Sequence, residues 1–206
     1  MVLVMGPSNK RFLSQEALWL IMFRYEIGPD LELRLLEERH AAELFELTVR
    51  SREHLRPWMP WIDSTRTVAD SVEFIKSSLE QFARGEGLIT GIWYRGSLAG
   101  AISFVNISQA NNSAMIGYWI GADYQRQGLV TRACKALVDY GFSELGLNRI
   151  AIWVATDNLR SIAVPLRLGF VREGVERQAQ RVNDRYVDIA VYSLLRSEWQ
   201  PPAGKD

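Results

Sequence analysis

The chain has 206 residues, with 24 Lys+Arg set against 24 Asp+Glu and no formal net charge. That balance argues against a protein built chiefly to coat nucleic acid or an anionic membrane. A single cysteine, Cys134, excludes an internal disulfide framework and a cysteine-based zinc cluster, and two histidines, His40 and His54, are too few for a histidine-rich metal centre.

The length suits one domain with a proper core, and the cytoplasm is the default compartment. Near the start, Lys10-Arg11 precedes the apolar run Ala17-Leu18-Trp19-Leu20-Ile21-Met22-Phe23. The run is too short to span a bilayer, and Arg24-Tyr25-Glu26 offers no cleavage site for a signal peptide. Residues 1–22 are set apart as an N-terminal extension, expected to add a helix or a strand to the domain.

Leu31-Glu32-Leu33-Arg34-Leu35 alternates with period two and predicts a half-buried strand. Ala41, Leu44, Phe45 and Thr48 then fall at helical spacing. Between Arg50 and Trp61 the pattern breaks: Pro57 and Pro60 forbid a regular helix, and Trp58 and Trp61 are costly to leave fully in water. Thr67 and Asp70 form a capping box that opens a helix with Val68, Val72, Ile75, Leu79 and Phe82 as its apolar stripe and Gly85 at its end. Leu88–Tyr94, Ser97–Ile107 and Ser113–Ile120 read as strands of an antiparallel meander, turned at Arg95-Gly96 and Asn111-Asn112.

The stretch Gln125-Arg126-Gln127-Gly128-Leu129-Val130-Thr131 links the last of these strands to a helix. The first turn of a helix has main-chain N–H groups without internal partners, and the helix dipole adds about half a positive charge there. With no Cβ at Gly128, a diphosphate can come close to that backbone. An ordinary strand-to-helix turn would look much the same. The following helix buries Val130, Ala133, Cys134, Leu137, Val138, Gly141 and Leu145, and Gly146 closes it. Arg149–Val154 is apolar on both faces, as expected of an interior strand. A helix follows over Asn158–Leu168, ended by Gly169. Val171–Gln180 and Tyr186–Leu195 predict a closing hairpin around Asn183-Asp184, and Gln200–Asp206 a frayed tail. Without repeats or a linker, residues 23–199 make a single α+β domain.

Three motifs in this order resemble the GNAT superfamily of acyl-CoA-dependent N-acyltransferases, and within it the Rim-type ribosomal-protein N-acetyltransferases. The superfamily's pyrophosphate loop, Gln/Arg-x-x-Gly-x-Gly/Ala, is matched by Gln125 and Gly128, with Val130 in place of the last small residue. Asn158-Leu159-Arg160-Ser161 and Leu168-Gly169-Phe170 supply a second motif. Arg52-Glu53-His54-Leu55-Arg56-Pro57-Trp58-Met59-Pro60-Trp61 is similar to the acceptor-side segment of the Rim type. The resemblance covers roughly Phe23 to Trp199. It implies a mixed, mostly antiparallel sheet flanked by helices, splayed where acetyl-CoA lies between the Ser113–Ile120 and Ile150–Val154 strands.

The resemblance further implies that the main chain of Arg126, Gln127, Gly128, Leu129, Val130 and Thr131 holds the diphosphate, with no metal. Trp119, Ile120 and Gly121 would pair with the pantetheine arm, one N–H there facing the thioester oxygen, and Asn158 would hydrogen-bond that arm. Ser161 is matched to the group that gives or relays a proton to the leaving thiolate; the plainer alternative is that it caps its helix turn. A Rim-type relative has a carboxylate base where this chain has Gln180, so Glu53, Glu173, His54 through water, or bulk solvent would remove the amine proton. His54, Trp58, Trp61, Tyr118 and Gln180 are the candidate acceptor-site residues, although Trp58, Trp61 and Tyr118 serve equally as core fillers and His54 as a surface residue. Cys134 reads as core. Arg126, Arg132 and Arg160 could reach phosphates or face water.

The function expected is direct acetyl transfer to a primary amine, foremost a protein N-terminal α-amine. The alternatives are a small amine (antibiotic, polyamine or amino acid derivative) or a silent acyl-CoA-binding module. An acidic acceptor groove would favour polyamines and a peptide-wide groove proteins. Relatives of this type often form homodimers, but no stretch marks an interface.

Overall fold

The computed structural model describes residues 24–201; the expectations for the N-terminal extension and for most of the tail lie outside the described residues. Eight strands form one sheet in the order β1-β2-β3-β4-β5-β6-β8-β7: β1 Arg24–Gly28, β2 Leu31–Leu35, β3 Leu88–Tyr94, β4 Ser97–Ser108, β5 Ser113–Ile120, β6 Arg149–Ala155, β7 Val171–Val182 and β8 Arg185–Leu195. Every pairing is antiparallel except β5 with β6. The helices are α1 Ala41–Arg50, α2 Arg52–Leu55, α3 Val68–Ala83, α4 Leu129–Ser143 and α5 Leu159–Arg167.

The period-two pattern of the strands, reset on β4 by a bulge at Ala99 opposite Ile92 and Trp93, sorts residues between two cores. Ile92, Ile102 and Phe104 point to the face covered by α4 and α5, together with Ala133, Leu137 and Phe142. Trp93 and Leu98 point to the other face, against Leu44 and Leu47 of α1 and Ile75 of α3. The expected mixed, mostly antiparallel sheet flanked by helices is therefore what the chain builds.

Several local expectations need correcting. β1 was not anticipated as a strand. By covering the edge of β2 it makes that strand interior, so Glu32 is buried with the leucines and is ion-paired to Arg24 and Arg34. α3 rests on Ser71, Ile75 and Ser78; Val68 and Phe82, at its two ends, overhang the sheet and are exposed. Small residues at the contact let the helix come close, and Ser78 Oγ donates to the Ile75 carbonyl at 2.7 Å. In α1, Leu47 is buried in the place expected of Phe45. Leu145 lies beyond the end of α4 and is exposed. One helical turn, α2, forms just before Pro57.

The feature that positions the site is where pairing stops. β5 and β6 are in register only at Ser113↔Arg149, Ala114↔Ile150 and Met115↔Ala151. Beyond that, β5 stays with β4 as far as Ile120↔Gly100, while β6 stays with β8 as far as Ala155↔Ile189. Each strand follows its own antiparallel partner, and the accumulated twist drives them apart. Trp153 was expected to be covered on both faces; it lies beyond the last β5–β6 pair and is 47% exposed. Among the described residues, no helix is long and apolar enough to cross a membrane.

Candidate active site

A one-turn 3-10 helix, Ala122–Tyr124, leads from β5 into the loop. Arg126 and Gly128 both take left-handed backbone conformations, φ 60° and 71°. For Arg126 this is a strained choice; for Gly128 it is free. Gly128 is the N-cap of α4, no side chain caps the helix, and its first turn holds no acidic residue. Among the described residues no acceptor receives the main-chain N–H groups of residues 126–131; the first return bond is Arg132 N–H to Gly128 O at 3.0 Å. A Cβ built on Gly128 meets nothing within 4 Å. Uncapped amides, a helix dipole and an open approach fit an anionic ligand such as a diphosphate.

Side chains hold the loop in this shape. Gln125 Nε2 donates to Ala122 O at 3.2 Å, Gln127 Nε2 to Asp123 O at 3.3 Å, and Arg160 donates to Gln125 Oε1 at 2.7 Å. Arg132 donates to Asp30 Oδ1 at 2.7 Å, and that hydrogen bond keeps the Asp30 carboxyl below its usual range.

Beyond Met115 the open edge of β5 has main-chain groups to offer. Gly121 N–H is already used, donating to Ala99 O at 2.7 Å. The alternation of an antiparallel ladder turns the groups of Trp119 toward β4 as well, and those of Tyr118 and Ile120 toward the gap. Across the gap, Asn158 caps α5, its Oδ1 accepting from Ser161 N–H at 3.2 Å. Ser161 Oγ donates to the Tyr118 hydroxyl at 3.1 Å, and that hydroxyl donates to Ser161 O at 3.0 Å. These two bonds span the wedge at its narrow end. Burial pushes the Tyr118 phenol well above its ordinary pKa, so it remains protonated. The Cys134 thiol is fully buried and raised by the same cause, which makes it a core residue and not a nucleophile.

The wedge opens into a cavity of about 890 Å³. Trp58, Trp61, Tyr118, Trp119 and Gln180 line it, with Asn158 and Ser161 from the start of α5. The Trp58–Trp61 segment is held from both sides. Arg52 donates to the carbonyls of Ile62 and Thr65. The β7–β8 hairpin reaches over, Asn183 Nδ2 donating to Arg56 O at 2.9 Å and Arg185 to Pro57 O at 3.1 Å. The Trp61 and Trp119 rings lie 5.8 Å apart. Trp58 and Trp61 belong to neither core, whereas Tyr118 lines the cavity and also packs against the core beneath α4 and α5.

His54 does not line the cavity. It is half-buried beside Arg160, and burial first, then that guanidinium, holds its pKa below the usual value. Glu53 is exposed and also outside the lining. Glu173 is excluded as a base: a two-pronged pair with Arg149, with Ser193 Oγ donating at 2.8 Å, holds its carboxyl at about 2. Phe74, Met59 and Trp153 also line the cavity and escaped sequence reasoning. Phe74 stands one position off the apolar stripe of α3, a faint signal; Trp153 looks like any core residue of an apolar strand.

A model of the acetyltransferase (GNAT) domain matches residues 30–171. A Bacillus subtilis (strain 168) protein, YdaF, classed by its name among ribosomal N-acetyltransferases, is 38% identical over 180 residues, covering 87% of this chain and 98% of its own. Two solved structures superpose well. The microcin C7 self-immunity acetyltransferase MccE, in complex with acetyl-CoA and AMP, has a TM-score of 0.79 at 34% identity over 82% of this chain and 94% of its own. RimL, a ribosomal L7/L12 alpha-N-protein acetyltransferase in complex with coenzyme A, has a TM-score of 0.80 at 27% identity over 84% and 97%.

Proposed function

The chain belongs to the acetyltransferase (GNAT) family of acetyl-CoA-dependent N-acetyltransferases, and from that footing we propose that it acetylates the α-amine at the N-terminus of a protein acceptor of the ribosomal-protein kind. The observation that carries this is the parting of β5 from β6 after Met115 and Ala151, with uncapped amides on one side and an aromatic cavity on the other. The names of YdaF and RimL support the acceptor class.

Acetyl-CoA supplies an activated acyl carbon and a thiol leaving group. The N–H groups of residues 126–131 hold its diphosphate, and the open edge of β5 at Tyr118 and Ile120 runs beside the pantetheine arm. Ile120 N–H, left free by the ladder, is the donor that faces the acyl oxygen, where negative charge develops; such preset donors are worth most in a site shielded from water. Asn158 keeps Oδ1 on Ser161 N–H and has Nδ2 left for the arm. Ser161 relays a proton to the sulfur as the C–S bond breaks and the C–N bond forms, and Tyr118 holds its hydroxyl at the narrow end of the wedge.

Gln180, an amide, accepts no proton at neutral pH, and Glu173 is locked in its ion pair. The site therefore suits an amine that loses its proton cheaply. An α-amine of pKa about 7.7–8.0 costs about 1 kcal/mol to neutralise at pH 7, against about 4.6 for a lysine near 10.4. Coenzyme A release with matched peptides tests this: N-terminal amines are expected to react well ahead of lysine side chains, and strong lysine acetylation with poor N-terminal activity would refute it. One observation favours a small amine as a second reading, namely the two carboxylates, Asp70 and Glu73, in the cavity lining.

A further inference from the structure

The charge of the cavity lining has one sign. Among the described residues, Asp70 and Glu73 supply its carboxylates and no Lys, Arg or His lines it, in a chain with 24 Lys+Arg. The Asp70 carboxylate accepts from Arg66 N–H, Thr67 N–H and the Thr67 hydroxyl, which lower its pKa and keep it charged. The surrounding arginines are turned to other partners. Arg52 and Arg56 face the Asp63 carboxylate, while Arg66, Arg160 and Arg185 bond neutral oxygens and keep their charge but stand outside the lining. Lys76 lies 3.8 Å from both Glu73 and Glu38, so its one charge is shared between two carboxylates.

Aromatic faces add attraction of the same sense. Trp61, Phe74 and Trp153 line the cavity and are 36%, 44% and 47% exposed. The negative face of an aromatic ring attracts cations. The amides of residues 126–131, suited to anions, lie outside this lining.

We propose that the acceptor is chosen by charge: the site takes an amine with a second cationic group close by and rejects one flanked by a carboxylate or phosphate. Two sources share that chemistry, a protein N-terminus with Lys or Arg among its first residues, or a small diamine. The selection rests on the cavity being the acceptor site of the acetyl transfer.

The test compares kcat/KM for peptides beginning Ser-Gly-Lys and Ser-Gly-Asp, and for 1,5-diaminopentane against 5-aminopentanoate, in the wild type, Glu73→Gln and Glu73→Lys. The cationic member of the productive pair is expected to be preferred about tenfold, less at high salt. Glu73→Gln should shrink that ratio and Glu73→Lys reverse it. A ratio near one in the wild type, or one that Glu73→Lys leaves unmoved, would overturn charge selection while leaving N-terminal acetylation intact. Turnover of the diamine alone would refute the protein acceptor and keep charge selection. Turnover of neither pair would remove both.

Discussion

Gly128→Asp probes the diphosphate cradle most directly. At φ 71° a residue other than glycine costs about 1 kcal/mol, less for Asp and Asn. Among the described residues no atom beyond the chain neighbours lies within 4 Å of the new Cβ, so the fold accommodates the side chain. Its carboxylate stands among amides that lack acceptors, where the diphosphate would sit. At about 5 Å and an effective dielectric near 40, each pair of like charges repels by about 1.7 kcal/mol, so two phosphate charges cost about 3 kcal/mol, roughly two orders of magnitude in affinity. Gly128→Asn has the same size and no charge, and its affinity should stay within several-fold of wild type. Calorimetric titration with coenzyme A, beside thermal melts to verify folding, separates the two. Equal affinity of the Asp and Asn variants would show that no diphosphate approaches this turn.

Ser161→Ala should lower kcat by about tenfold or more, with acetyl-CoA KM little changed, if its hydroxyl relays the thiolate proton; unchanged kcat would return it to a capping role. Gly100→Ala sets a methyl group against the Trp119 carbonyl oxygen and 2.9 Å from Ile120 Cα, at the edge that frames the wedge. It should cost about 2 kcal/mol of stability and weaken coenzyme A binding, read by denaturant melts and calorimetry. The Glu173 pKa is lowered from 4.5 to about 2, so the stability it contributes is present above pH 4.5 and lost as pH falls toward 2. After solvent screening, Glu173→Gln should remove about 1 kcal/mol near pH 6 and almost nothing near pH 2, with catalysis unaffected.

The strands of the meander, the capping box at Thr67 and the helix start at Gly128 were legible because each rests on neighbours in the chain: a period of two, a hydroxyl three residues from a carboxylate, a glycine where φ turns positive. The motif order carried the family for the same reason, since residues 125–131 and 158–161 each form a local unit. Long-range placement was not legible. Trp153 and Ile152 are both apolar residues of one strand, yet Ile152 faces the core beneath α4 while Trp153, on the other face and beyond the last β5–β6 pair, is exposed. Glu173 was a candidate base until the register of β7, β8 and β6 paired it with Arg149. His54 shares a segment with Trp58, yet from its turn of helix it does not line the cavity. Sequence alone determined most of the strands and helices and the family to which they belong, because those depend on contacts a few residues apart. Tertiary structure alone decided which walls meet around the cavity and what charge they carry, because that depends on where two strands with different partners part company.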